Sequence, residues 1–140
     1  MASLLSPRIS PERDVRRDTA NPGGRLLGFA ALAALVVFQI YALYIAVPSP
    51  EQQIPYVDKF VHIAMFATPA AVAAAMRLRW VIAALVLHAI VSEPLQAALT
   101  TYRTVDFWDM VADLLGIVMG VAAVRQWRSD RPRLEPGAGG

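Results

Sequence analysis

The sequence predicts an all-α integral membrane protein, a four-helix bundle with both termini in the cytoplasm. Three observations indicate this fold class. Hydrophobic residues make up 56% of the 140 residues, against roughly 45–50% in an average soluble domain. They cluster in four segments, each long enough to cross a hydrocarbon core of about 30 Å. Basic residues concentrate at alternate ends of these segments, as the positive-inside rule requires.

The four predicted spans are residues 26–47, 57–76, 80–99 and 104–124. Prolines follow the first span, and arginines separate the second from the third and end the fourth. The first span is longer than the apolar part of a signal peptide, which is about 7–15 residues. We therefore expect a retained helix. The short middle connections predict antiparallel neighbours.

The chain divides into one membrane domain, residues 25–125, and two tails. Residues 1–24 and 126–140 are rich in Pro, Arg, Gly and other polar or small residues, which predicts disorder. Eleven of the thirteen basic residues lie in or beside the tails or in the turn between the second and third spans. The other two are Lys59 and Arg103. This division predicts that both tails are cytoplasmic.

Composition also excludes several classes of function. The chain has no cysteine, which rules out disulfides, thiolate zinc sites and cysteine nucleophiles. The net charge is only +2, and the arginines of the tails follow the pattern of topology signals. We therefore expect the lipid bilayer as a partner and no nucleic acid. A homo-oligomer stays open, and no nucleotide motif is present.

The predicted orientation brings polar residues of three spans to one level near the outer face. They are Asp58, Lys59 and His62 in the second span, Glu93 and Gln96 in the third, and Arg103, Asp106, Asp109 and Asp113 in or before the fourth. Asp58 and His62 are four residues apart, as are Asp109 and Asp113, and Glu93 and Gln96 are three apart. Such spacings place the two members of each pair on one side of a helix. Carboxylates within membrane spans are costly and are functional candidates by default.

Glu93, Asp109 and His62 are the candidates for acid, base or metal-ligand roles. The candidate ligand-binding residues are Arg103, Gln96, Asp58, Lys59, Asp106 and Asp113. Arg103 is the expected counter-charge, because a guanidinium binds carboxylates or anionic ligands through two hydrogen bonds. Five carboxylates in a low-dielectric site must be protonated, paired or bound to a cation. A divalent cation fits such oxygen ligands, although no spacing here is diagnostic of a metal.

The same residues also have simpler, structural interpretations. Asp58, Lys59 and Asp106 lie close to the predicted surface and fit solvated interfacial charges equally well. His62 fits a structural hydrogen bond, and for His88 that is the favoured interpretation. Gly116 and Gly120 form a Gly-x-x-x-Gly pair, which allows close helix packing.

The ordered set of polar residues resembles the VanZ-like family over residues 26–124. The resemblance rests on Asp58-Lys59-x-x-His62-x-x-x-Phe66, Glu93-x-x-Gln96 and Arg103-x-x-Asp106-x-x-Asp109-x-x-x-Asp113-x-x-Gly116-x-x-x-Gly120. Asp113 stands where members usually carry Asn. Ser92 stands where an acidic residue is frequent, and Thr101-Tyr102 where Pro-Gly is frequent.

The resemblance implies a small multi-pass protein of the bacterial cytoplasmic membrane. The family's founding member is associated with resistance to the glycopeptide teicoplanin, an antibiotic that acts on cell-wall precursors at the outer surface. Three hypotheses follow: a site that binds or processes a polar lipid or cell-wall precursor, a structural or accessory protein whose polar cluster only ties helices together, and a small transporter. The residues alone leave open whether a reaction is catalysed.

Overall fold

The computed structural model describes residues 22–47, 56–100 and 105–131. This part of the chain forms four α-helices: α1 (Pro22–Tyr44), α2 (Val57–Ala75), α3 (Arg79–Leu99) and α4 (Phe107–Ser129). Each is long and apolar enough to span a membrane. The predicted all-α fold class with four membrane helices is confirmed. The predicted tails lie mostly in residues 1–21 and 132–140, outside the described residues.

The first and last helices, α1 and α4, have bounds that differ from the predicted spans. α1 begins at Pro22, because proline is well suited to the first turn of a helix. It ends at Tyr44, where the amides of Ile45 and Ala46 both bond to the Tyr41 carbonyl at 2.9 Å. α4 continues to Ser129, because the polar residues after its apolar stretch are good helix formers.

α2 and α4 make the closest helix pair, and they run parallel. Gly116 faces the carbonyl oxygen of Ile63, and Gly120 faces that of Ala67. A Cβ atom at either glycine would overlap the backbone of α2. At the far end of the same pair, Arg128 Nη2 donates a hydrogen bond of 2.6 Å to the Ala75 carbonyl. The two backbones therefore stay in direct contact along most of their length.

α3 packs against both members of this pair, and α1 packs against α2 and α3 from one side. The apolar core between them includes Phe66, Leu85 and Ile117. His88 is half-buried, and its Nε2 lies 2.9 Å from the Tyr44 hydroxyl. The expectation of a structural hydrogen bond at His88 is thus confirmed, and that bond ties α1 to α3.

Gln39 of α1 is a buried polar residue without a hydrogen-bond partner in the described part of the chain. Its side chain is fully buried, and its amide nitrogen and oxygen have no hydrogen-bond partner among the described residues. Buried amides are normally paired, because an unpaired one costs about 1–3 kcal/mol. Gln39 is therefore a destabilising element of α1.

Candidate functional site at the polar end of the bundle

The candidate site lies where α2 and α4 begin and α3 ends. α2 and α4 run parallel, so their first turns meet at this end, and Glu93 of α3 bonds to the backbone at the start of α4. We call the nine polar residues gathered here the polar cluster: Asp58, Lys59, His62, Ser92, Glu93, Gln96, Asp106, Asp109 and Asp113. Its outer layer is partly exposed and consists of Asp58, Lys59, Asp106 and Asp109. Its inner layer is buried and consists of His62, Ser92, Glu93, Gln96 and Asp113.

Lys59 is the centre of the outer layer. Its ammonium donates to Asp58 Oδ2 at 3.1 Å, to Asp106 Oδ2 at 2.6 Å and to Asp109 Oδ1. An ammonium has three donors, so all of them are used within the protein. The hydrogen bond from Lys59 holds the pKa of the Asp106 carboxyl below its usual range. Asp106 also caps α4, because its Oδ1 accepts from the Trp108 amide at 2.8 Å.

The inner layer is built on His62 and Asp113, both buried. His62 Nδ1 lies 2.8 Å from Asp113 Oδ1. Ser92 Oγ has one proton and two acceptors within reach, the Ala89 carbonyl at 3.0 Å and Asp113 Oδ2 at 3.3 Å. The Asp113 carboxyl therefore holds the imidazole ring through Nδ1. The other nitrogen, Nε2, then faces Asp109 Oδ2 at 3.8 Å. Asp109 thus stands between the histidine and the lysine and joins the two layers.

Glu93 ties α3 to the start of α4. Its Oε2 accepts from the Asp106 amide at 3.0 Å, and its Oε1 accepts from Gln96 Nε2 at 3.2 Å. Glu93 is buried and Gln96 almost completely so. A buried carboxylate that receives a backbone amide from another element positions that element, so Glu93 helps to place Asp106 against Lys59.

Two groups in the cluster have the geometry to hold a metal ion, with ligand atoms within 4.8 Å of one another. The first is His62, Glu93 and Asp113, all buried; the second is Asp58, Asp106 and Asp109, all partly exposed. The Lys59 ammonium already lies among the oxygens of the second group. Only the first is left with a nitrogen and oxygen set that suits a divalent ion without displacing a lysine.

The described part of the cluster carries an excess of negative charge. Five carboxylates face one lysine and one histidine. Arg103, the counter-charge expected from the sequence, lies outside the described residues. Carboxylates in a low-dielectric setting do not persist unpaired, so the cluster favours protons, cations or ligands rich in hydrogen-bond donors.

A groove opens beside the cluster between α2 and α4. Its volume is about 520 Å³, within the usual range of about 300–1,000 Å³ for ligand pockets. Lys59 stands at its polar end with Tyr56 and Trp108, and the rest of the lining is Ile63, Val111, Ala112 and Leu115. The groove therefore joins a charged end to an apolar lining between α2 and α4.

The structure brings together eight of the nine residues that the sequence singled out, and the ninth is Arg103. Sequence reasoning did not assign Ser92 to the site. Its helical position could have revealed it, because Ala89, Ser92, Glu93 and Gln96 form a buried stripe at the spacing of one helix face. Gln39 was visible as the one clearly polar residue of its span, but no sequence pattern showed that it would be unpaired.

We compared the chain with protein-family models, curated proteins and solved structures, and none matches.

Proposed function

We propose that this protein binds the polar headgroup of an envelope lipid or of a cell-wall precursor carried by a lipid. The observation that carries the proposal is the groove between α2 and α4, because its two ends differ in chemistry. An acyl or isoprenoid chain fits the apolar part beside Val111 and Leu115, and a headgroup then reaches Lys59. A solute without an apolar tail has no use for such a lining.

The negative charge of the cluster limits which kinds of headgroup can bind there. Carboxylate oxygens accept hydrogen bonds, so a headgroup with hydroxyl or amino groups complements Asp58, Asp106 and Asp109. Lys59 is the one described cation of the outer layer, and it already serves three carboxylates. Sugar hydroxyls or an amine therefore suit the described residues better than a multiply charged anion.

His62 gives the site a group able to transfer protons. Asp113 holds its ring, and Nε2 faces the outer layer. A histidine oriented in this way by a carboxylate serves as a general acid or base in many enzymes. Processing of the bound headgroup is therefore the extension of the binding proposal that this pair supports, with Glu93 and Asp109 as the neighbouring carboxylates.

The resemblance to the VanZ-like family also supports the proposal of an envelope lipid or cell-wall precursor as ligand. Two positions at which the chain departs from the family pattern, Ser92 and Asp113, are hydrogen-bonded to each other. In this chain a carboxylate on α4 therefore lies beside the α3 position where the resemblance implies an acidic residue. On this proposal the protein lies in a bacterial cytoplasmic membrane, its polar end faces outward, and it affects glycopeptide susceptibility.

The main alternative is a structural or accessory protein, and one observation favours it. Each carboxylate of the described cluster already accepts at least one hydrogen bond from within the protein or forms an ion pair. Such a closed network can fix helix positions without any ligand. Transport is less well supported, because α4 carries no charge between Leu114 and Val124 and His88 is bonded to Tyr44.

Two isosteric variants test whether the polar cluster binds a ligand or only stabilises the bundle. Glu93→Gln and Asp109→Asn keep shape and remove charge. If the site is used, both variants should abolish the change in glycopeptide susceptibility that the protein confers, with little loss of protein from the membrane. Asp130→Asn, at the opposite end of α4, is the matched control. A susceptibility that follows protein abundance in strict proportion would show scaffolding instead.

The groove is tested separately by filling it. Val111→Trp places an indole in the groove, whereas Val118→Trp places the same group on an exposed part of α4 outside its lining. Lipids that remain bound to the purified protein can be identified and counted by native mass spectrometry. We expect Val111→Trp to lose a bound lipid that Val118→Trp keeps, and equal lipid content in the two variants would contradict the proposed groove.

A further inference from the structure

The end of the bundle opposite the polar cluster holds a second pocket of different chemistry. It lies where α2 and α4 end and α3 begins, and its volume is about 390 Å³. Four arginines line it: Arg77, Arg79, Arg125 and Arg128. The remaining lining is apolar and includes Ile82 and Val121. Guanidinium groups and apolar side chains thus line the same opening.

The four arginines have no acidic partner in residues 22–47, 56–100 or 105–131. Asp130 is the single acidic residue that the described chain places at this end. Arg128 uses one N–H on the Ala75 carbonyl, which leaves most guanidinium donors of the pocket available. Like charges gathered around one opening repel one another, so an anion held between them lowers the energy of the arrangement.

The start of α3 adds to the positive potential of the pocket. Arg79 is the first residue of this 21-residue helix, no side chain caps its amino end, and its first turn has no acidic residue. The amino end of a helix carries a partial positive charge, which favours anions, although the amides of Arg79, Val81 and Ile82 already bond to backbone carbonyls. Arginine side chains and helix end therefore point to the same kind of ligand.

We infer that this pocket binds the phosphate headgroup of an anionic phospholipid from the leaflet at that face of the membrane. The phosphodiester accepts hydrogen bonds from Arg79 and Arg125, a geometry that guanidinium groups make especially well. The first carbons of the acyl chains lie against Ile82 and Val121. A topology signal requires positive charge on this side, but it does not require four arginines that line one pocket together with apolar side chains. Basic pockets between membrane helices are the usual setting for anionic lipids.

The test compares single variants that each remove one positive charge. Arg79→Gln and Arg125→Gln alter the pocket, whereas Arg131→Gln removes an arginine that stacks on Trp127 at 3.8 Å and lies outside the lining. The purified protein is titrated with phosphatidylglycerol or phosphatidylcholine in detergent, and bound lipid is counted by native mass spectrometry. Melting temperatures without lipid show that each variant is folded. Arg128 is left intact, because it also joins α4 to α2.

We expect one phosphatidylglycerol to bind about tenfold more weakly to each pocket variant, as the loss of a charge-assisted hydrogen bond implies. Arg131→Gln should change the affinity less than twofold. An equal loss of affinity for phosphatidylglycerol in all three variants would show diffuse attraction to anionic lipid and would contradict binding in this pocket. Equal binding of phosphatidylcholine would also overturn it. Glycerol phosphate that displaces the lipid at equal concentration would show that the ligand is a soluble phosphate, and the lipid assignment would fail.

Discussion

Replacing Lys59 by methionine tests whether its ammonium holds the outer layer together. Methionine keeps much of the length and apolar surface of lysine and removes the charge. In the variant, Asp58, Asp106 and Asp109 would face one another without the cation that now lies between them. We expect a lower free energy of unfolding, because three neighbouring carboxylates repel and each loses a hydrogen bond.

The size of the loss follows from the burial of the pairs. Breaking an exposed ion pair costs about 0.2–1 kcal/mol, whereas removing one partner of a buried pair costs about 3–5 kcal/mol. The Lys59 side chain is 24% exposed and that of Asp109 is 13% exposed, so this pair is close to the buried case. Asp58 and Asp106 are 34% and 40% exposed and contribute less. We therefore expect Lys59→Met to cost about 2–4 kcal/mol.

Thermal unfolding in detergent, followed by circular dichroism, measures the effect, with Arg25→Met at the opposite end as the control. Two further measurements identify the cause. Adding Asp109→Asn to Lys59→Met should recover part of the loss, because it removes one unpaired charge. Calcium should stabilise Lys59→Met more than the parent, since the three carboxylates of the outer layer can then hold the ion. The reasoning is refuted if Lys59→Met melts at the parent temperature, or if Asp109→Asn deepens the loss.

Three more predictions concern the helices. Gly116→Ala and Gly120→Ala should each lower the melting temperature, because the new Cβ meets the backbone of α2. Gly28→Ala is the control, since its Cβ meets only the end of a flexible methionine, and equal losses in all three would contradict the close contact. Gln39→Leu should raise the melting temperature, because it removes a buried amide without a partner; a lower value would show that the amide is paired in the membrane. A cysteine in place of Leu78 should react only with reagents that enter the cytoplasm, and labelling from outside would refute the predicted orientation.

The fold was predictable because its signals are local and repeated. Four apolar segments of membrane length follow from composition alone, and each forms a helix that includes most of its predicted residues. The ends were less predictable, because they depend on caps and on residues of intermediate polarity. α4 begins after Asp106, whose side chain accepts from the Trp108 amide, and its last turns continue past the apolar stretch.

The membership of the polar cluster was also largely predictable, since charges in membrane spans are rare and those of three helices lie at one level. The pairing within the cluster was not. The sequence did not show that Lys59 would contact three of the carboxylates, and the role expected for Arg103 stays a prediction because that residue lies outside the described ranges. Which lysine or arginine meets which carboxylate depends on helix rotation, and hydrophobic periodicity fixes rotation only when one face is clearly polar. All four helices here are apolar on most sides.

The rotation of α4 is set by its glycines, and this connects the packing of the bundle to the chemistry of the site. Gly116 is three residues after Asp113, so the face of α4 that touches Ile63 also directs the Asp113 carboxylate toward His62. A methyl group at Gly116 would overlap the Ile63 carbonyl, so the two backbones would have to move apart and the contact between His62 and Asp113 would lengthen. The His62–Asp113 pair at 2.8 Å therefore depends on a position that makes no polar contact. A Gly-x-x-x-Gly pattern that is uninformative in isolation becomes, in this chain, a condition for the orientation of the histidine.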